Sequence, residues 1–506
     1  MQSKSFFSRP TWLDPPTRQL ALACAGSLGL YLLAFSLPAS LLKLYERVFL
    51  DGHLLHDAGF PAYLRMVLAF IGLALFYAAG LRAARQTHSR AAWSLVLGGT
   101  LAFILVLLFM APFDTLDIYD NIFHGRITGI YAGNPFVQVI ADFPRDPFFV
   151  YAPWKSSPTA YGPLWELLAG LTARLAGNDM RVNVLAFKLL AGSFQLAGVG
   201  VLISHLRRTA PEQALPAALL LGWNPVLLYE TWGNGHNDFA MAFWILLAAV
   251  LVLRKRYTWA TLSLAAGALV KFIPVLLIPA ALLVGMRSLP TSRLRLRFAA
   301  LTSLAAVGLG VAAYLPFWNG LASLNIGRRM EMFTTSIPSV LHGFLAPLLG
   351  DPASATLVSL GALALLAGFN IYQSWRVDEQ VRSRDFASTA FAILAFYLMV
   401  ACLWFQQWYS LWLIALAPLL PERSRRMALV FGFWVLTKQF VFGPLIVPIM
   451  SDFPATAMWL EPVLTLSILG VPWSMALHPH KRHSVPKDAV LEPLPPNPLP
   501  QGRGKD

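Results

Sequence analysis

The chain has 506 residues, of which 57% are hydrophobic and 13% charged, with a mean hydropathy of +0.59. A soluble protein of this length must turn its outer layer to water, which usually takes about 25% charged residues, so a water-soluble globule is excluded and a polytopic membrane protein is indicated. The net charge of +14 fits cations gathered in the loops on one side of a membrane rather than nucleic-acid binding.

The predicted elements begin with apolar runs at 19–42, 61–84 and 91–112, a block of transmembrane helices over residues 1–112. Roughly 20 apolar residues cross a bilayer as a helix. The first run follows Arg18 without a small-residue cleavage site and is read as a retained helix. Segment 113–180 is different: it holds seven Asp/Glu and four Lys/Arg. It opens with Asp114, Asp117 and Asp120 at the membrane edge. Tyr119, Phe123, Tyr131, Phe136, Tyr151, Trp154, Tyr161 and Trp165 make it aromatic. Prolines at 135, 144, 147, 153, 158 and 163 stiffen it, and Asn134-Pro135 and Gly162-Pro163 mark turns. A hydrated linker needs none of this. Carboxylates and a cation, Arg126, beside ring faces suit a polyol, whose hydroxyls meet acids and whose C–H faces meet rings. Arg126 is read either as a phosphate or carboxylate clamp or as the partner of a nearby Asp. Residues 161–177 contain Glu166 and Arg174 and are read as an amphipathic helix at the outer interface.

The central block, 181–318, has runs at 181–205, 213–231, 237–253, 258–285 and 296–318. Between two of them lies the compact "GNGHND" (233–238). A tight turn explains its glycines but does not require His236, Asn237 and Asp238 together. Asp238 suits a helix cap, and a His–Asp pair suits a substrate. The run 258–285 contains "KFIP" (271–274), and Pro274 cannot continue a helical ladder. It is therefore read as a broken hairpin with Lys271 near its apex, each half about 20 Å long. Segment 319–354 is a second external loop. Its Arg328 and Arg329 form a planar donor pair for a phosphate or for lipid headgroups.

The C-terminal block, 355–477, has runs at 355–373, 386–403, 407–420, 427–448 and 456–477. "WFQQWYS" (404–410) lies at an external boundary, where an aromatic belt explains its rings but not Gln406 and Gln407. Those amides suit sugar hydroxyls. Lys438 sits deep in its apolar run, where cations face a cavity or a partner. The tail, 478–506, is rich in Pro and charge and is expected to be disordered.

Charge sorts the loops. "RAARQTHSR" (82–90), "RKR" (254–256), "RSLPTSRLRLR" (287–297) and "PERSRR" (421–426) are basic and belong in the cytoplasm. Two passes in the broken hairpin then give an all-α polytopic fold of about 14 transmembrane segments, with both termini and the tail cytoplasmic. The acidic loop falls outside. Cys24 and Cys402 lie in apolar runs without a CxxC, so no disulfide framework or metal site is indicated. A transporter or lipid flippase is the alternative reading. Against it, no internal repeat is visible and polar groups concentrate in one outer loop rather than at mid-membrane.

"DIYDNIFHGRITGIYAGNPF" (117–136) resembles the D-x-Y-x-Y-x-x-x-G-R…G-x-N-P-Y segment of the polyprenyl-phosphate-mannose-dependent mannosyltransferases of the GT-C superfamily. "YGPLW" (161–165) resembles the end of their first catalytic loop, and "NPVLLYETWGNGHNDFAMA" (224–242) their N-P-x-L-L…G-x-H-N-D motif. "LVKFIPVLLIP" (269–279) and "QQWYSLWLIAL" (406–416) are similar to later helices. His124 stands where the family has an Asp before Gly-Arg, and Phe136 replaces its usual Tyr.

The resemblance implies a GT-C-like fold in the cytoplasmic membrane, with 113–180 as the external catalytic loop. It implies transfer of a sugar, mannose first, from a polyprenyl-phosphate donor to a glycan, glycolipid or protein acceptor, with inversion. Asp117 aligns with the family Asp and is expected as general base, with Asp114 next. Arg126, Arg328, Arg329 and Lys271 are expected near the donor phosphate. Asp120, Tyr119, Asn134, Tyr161, His236, Asn237, Asp238 and Gln407 are expected near substrate. No cofactor follows, although three Asp and a His can hold a divalent cation. Membrane lipids are partners and nucleic acid is not.

Overall fold

The computed structural model describes residues 14–42, 59–112, 115–324, 332–381, 384–442 and 454–477. Among these the chain is helical, with no β-strand beyond isolated bridges. Among the described residues six helices are long and apolar enough to cross a membrane: Pro15–Ser36, Gly59–Ala84, Arg90–Leu108, Met180–Thr209, Ser292–Phe317 and Asp351–Arg376. Several of the remaining apolar runs form shorter helices among the described residues, so helix length by itself does not yield the expected count of about 14.

The first helices are α1 (Pro15–Leu30), α2 (Gly59–Ala84) and α3 (Arg90–Leu108). Ser89 caps α3 by accepting from Ala92 N at 3.1 Å, a contact worth about 1 kcal/mol. Next come α4 (Asp117–Gly129), α5 (Pro163–Ala176) and α6 (Met180–Thr209). Asp179 caps α6 by accepting from Arg181 N at 2.8 Å and Val182 N at 3.1 Å. The run 213–231 divides into α7 (Pro211–Gly222) and a turn, α8 (Pro225–Leu228), because Asn224 starts a new helix and Pro225 cannot continue the old one.

A π turn, Tyr229–Gly233, follows and leads to α9 (Asp238–Leu253). Helix α9 is apolar on all sides, "DFAMAFWILLAAVLVL", and is correspondingly buried. It packs against α6, α10 (Tyr257–Ala268) and α16 (Leu411–Leu416). After α10 the backbone turns through a 3-10 segment, Ile273–Leu277, and returns in α11 (Ile278–Arg287), which packs against α10. Helix α12 (Ser292–Tyr314) instead exposes Leu301, Leu304, Val307 and Val311, a surface fit only for lipid. The rest comprises α13 (Ile337–Leu349), α14 (Asp351–Arg376), α15 (Phe386–Phe396), α16, α17 (Glu422–Trp434) and α18 (Pro454–Leu477).

Helix α5 lies along α4 at backbone contact. A Cβ on Gly125 would stand 2.7 Å from the Ala169 carbonyl oxygen, and one on Gly129 would overlap the Gly170 carbonyl. Gly129→Ala is expected to push the helices apart at a cost of about 1–3 kcal/mol, read as a lower unfolding temperature in detergent. An unchanged temperature would mean that the contact is not needed.

Candidate active site

Four segments far apart in sequence meet at the start of α4. Asp117 opens that helix, and its side chain, 27% exposed, has its Oδ2 4.0 Å from His236 Nδ1. Asp238, at the start of α9, is wholly buried. It accepts from Lys271 Nζ and from Trp412 Nε1, each at 2.8 Å. Lys271 lies over the faces of Tyr161 and Tyr409, its Nζ 5.3 and 5.5 Å from their ring centres. His236 stacks on Trp408 with ring centres 3.8 Å apart. The turn before α5 is tied to the same place, since Gly162 N and Leu164 N donate to Val270 O and Leu269 O at 2.9 Å.

Asn121 joins these groups. Its Nδ2 donates to Asp117 O at 2.8 Å and to Tyr161 Oη at 3.3 Å, and its Oδ1 accepts from Trp165 Nε1 at 2.7 Å and from Asn237 Nδ2 at 3.5 Å. Gln407 is also buried beside this cluster's Trp408, and its Oε1 has no hydrogen-bond partner among the described residues. Lys438 donates at 2.9 Å to Phe405 O and Gln406 Oε1, which supports the 404–407 turn from behind.

The electrostatics favour a proton acceptor. Burial pushes the Asp117 carboxyl up to about 7; Asp120 and Asp238 add to this, while Lys271 and a hydrogen bond from Trp154 oppose it. Burial and the Lys271 cation hold His236 well below its ordinary value, so its imidazole is neutral. Asp120 faces His124, whose Nδ1 is 3.2 Å from its Oδ2. Burial opposes the His124 imidazolium, but Asp120 outweighs it and holds the group up to about 9. Glu166, bonded to Thr159 Oγ1, is pushed up to about 7 by burial. Among the described residues no group of three His, Cys, Asp or Glu side chains lies close enough to hold a metal ion.

The structure thus brings together Asp117, Tyr161, His236, Asn237, Asp238 and Lys271, with Gln407 adjoining. Tyr119 is buried next to Tyr151, ring centres 6.4 Å apart. Asn134 is used elsewhere: its Nδ2 donates to Phe317 O at 2.7 Å and its Oδ1 accepts from Phe136 N at 3.0 Å, which ties the loop to the end of α12. Asp114, Arg328 and Arg329 lie outside the described residues.

Arg126, expected either as a phosphate or carboxylate clamp or as the partner of a nearby Asp, pairs with Asp146. Its guanidinium is buried, bonded through Nε to both oxygens of Asp146 at 3.2 and 2.9 Å, and to Gly177 O and Asn178 Oδ1 at 3.1 Å. It also covers the Phe148 ring at 4.2 Å. Each of its three nitrogens bonds to the scaffold of the loop. Arg126→Met would leave Asp146 buried and uncompensated, and is expected to cost about 3–5 kcal/mol of stability in denaturant or thermal unfolding. Unchanged stability would release Arg126 from this role. Asp146, Glu166 and Glu230 were not among the expected residues. For Glu230 there was a signal, a lone carboxylate in the apolar "LLYETW" (227–232), whereas Asp146 stands 20 residues from Arg126 with no pattern linking the two.

The family described as alpha-(1->6)-mannopyranosyltransferase, N-terminal domain, matches residues 23–287. Alpha-(1->6)-mannopyranosyltransferase A of Corynebacterium glutamicum is 25% identical over 211 residues, 40% of this chain and 42% of that protein. Alpha-(1->6)-mannopyranosyltransferase B of the same organism is 23% identical over 385 residues, 69% of this chain and 61% of that protein. The chain therefore matches less than two thirds of the length of either relative. No solved structure matches. The family match covers more than half of the chain and takes in Asp117, Tyr161, His236, Asp238 and Lys271, and the chain belongs to the alpha-(1->6)-mannopyranosyltransferase family.

Proposed function

We propose that this protein is a membrane mannosyltransferase that moves a mannosyl group from a polyprenyl-phosphate donor to a hydroxyl of a glycan, glycolipid or protein acceptor. The observation that carries the reading is Asp117 beside His236 and in the field of the Lys271–Asp238 pair, within the family-matched residues. A lipid-linked donor keeps its tail in the membrane and offers its sugar at the edge, so transfer belongs where carboxylates and cation lie together. The basic loops orient the chain with this site outside the cytoplasmic membrane, and 113–180 serves as the catalytic loop.

In this reading the Asp117 carboxylate takes the proton of the acceptor hydroxyl as its oxygen attacks the anomeric carbon. The bond from that carbon to the phosphate oxygen breaks, its electron pair leaves with the polyprenyl phosphate, and the configuration inverts. A carboxylate with affinity for protons near neutrality is a stronger base than an ordinary one. Lys271, oriented by Asp238, offers charge to the leaving phosphate, which needs a cation more than a proton. Tyr161, Asn237 and Gln407 line the sugar. Purified protein in nanodiscs, given radiolabelled polyprenyl-phosphate mannose and a panel of mannoside acceptors, is expected to form labelled product. No transfer from any polyprenyl-linked donor would sink the reading, and an EDTA arm decides whether a divalent ion takes part.

A further inference from the structure

The π turn Tyr229–Gly233 aims one more carboxylate at the site from behind. Glu230 is wholly buried, and its Oε2 lies 3.4 Å from His236 Nε2, while His236 Nδ1 lies 4.0 Å from Asp117 Oδ2. Each ring nitrogen is thus faced by a different carboxylate, Glu230 the nearer, without a formed hydrogen bond at Nε2 among the described residues. The ring cannot turn freely, because it is stacked on Trp408 at 3.8 Å and its backbone N–H donates to Glu230 O at 2.9 Å. Asn234 Nδ2 donates to Glu230 Oε2 at 3.3 Å and fixes that oxygen in turn. A buried carboxylate in an apolar helix is poor value for stability, and π turns occur disproportionately at functional sites.

We propose that Glu230 is a positioning residue: it holds His236 as the Nε2–H tautomer, so that the Nδ1 lone pair rather than an N–H faces Asp117 and leaves that carboxylate the stronger base. The inference rests on the mannosyl-transfer reading. His236 is neutral, as burial and Lys271 require, so one ring nitrogen carries a proton and the other a lone pair. The other charged or titratable groups facing Asp117 are Asp120, Asp238, Lys271 and Tyr161. Among the described residues, the carboxylate within 4 Å of His236 Nε2 is that of Glu230.

Glu230→Gln tests this directly. Its amide can donate to Nε2 and so favour the Nδ1–H tautomer, which would then donate to the Asp117 carboxylate. That bond stabilises the ionised form and weakens the base. The pH–rate profile in nanodiscs is therefore expected to move its acidic limb down by roughly one pH unit, with a plateau at least about tenfold lower and the donor KM unchanged. Glu230→Asp, which keeps the charge, is expected to hold the limb in place. An unmoved limb in the Gln variant, or an equal displacement in the Asp variant, would overturn the proposal. Nitrogen-15 NMR of labelled histidine, with His236 identified by its loss in His236→Gln, reads the tautomer without catalysis. Nε2–H in the wild type is expected, and Nδ1–H there would overturn the proposal even if Glu230→Gln does not fold. Absence of transfer by the wild type counts against the mannosyl-transfer reading alone, and the tautomer still judges Glu230.

Discussion

Asp117→Asn is expected to lower mannosyl transfer by roughly 10² to 10⁴-fold while leaving the protein folded. The substitution keeps the shape of the side chain and removes only its capacity to take a proton. The pH dependence gives a second, independent reading. With the Asp117 carboxyl pushed up to about 7 by burial and by Asp120, the base is active only when ionised. Wild-type kcat/KM should rise with pH through about 7 and level off above it, and the residual activity of the Asn variant should show no such limb. The sign for stability is opposite. A carboxyl whose folded-state affinity for protons exceeds its unfolded one stabilises the fold when protonated, and that contribution fades as pH rises through about 7. The Asn variant is therefore expected to unfold at the same or a higher temperature than wild type at pH values above this limb. Full activity in a folded Asn variant would remove Asp117 from the base role and pass it to Asp114.

Lys271→Met is expected to act on both fold and chemistry, and a paired variant separates the two. Lys271 Nζ and Asp238 Oδ2 are 2.8 Å apart, and Asp238 is fully enclosed. Losing the cation leaves Asp238 with the Trp412 indole as its remaining side-chain donor, a cost of about 3–5 kcal/mol for a broken buried pair. Lys271→Met combined with Asp238→Asn removes both charges, and most of the stability should return. Transfer should not return, because the leaving phosphate still lacks its cation, and kcat/KM for the donor is expected to stay roughly 10² to 10³-fold below wild type. Wild-type transfer by the double variant would show that Lys271 serves the fold and not the donor.

Much of the site was legible because polar residues are expensive in an apolar chain. Lys271 in "LVKFIP", the His-Asn-Asp run at 236–238 and the acids after the third apolar run each stand against their background. A residue retained at such a cost has a partner or a task. Pro274 gave away the break between α10 and α11 for a similar local reason, since its ring and missing N–H end a helix wherever they occur. The run at 407–420 was less transparent. It contains only the short helix Leu411–Leu416 between two 3-10 turns, Gln407–Ser410 and Ala417–Leu419. Hydropathy does not distinguish these backbones, because each satisfies its carbonyls within a few residues.

By itself the sequence determined that this protein is built of apolar helices for a membrane, that its acids gather after the third run, and that its polar motifs follow in the order of a glycosyltransferase. Only the tertiary structure decided which charges are spent on the scaffold and which face one another at the site. Arg126 goes to Asp146 and Asn178, Asn134 to Phe317, and His124 to Asp120, while His236 falls between Asp117 and Glu230. The physical reason is range. Hydropathy and helix periodicity act over a few residues and write themselves into composition. A buried ion pair or a hydrogen bond acts over about 3–4 Å, and which residues come that close depends on how α4, α9 and the turns beside them pack.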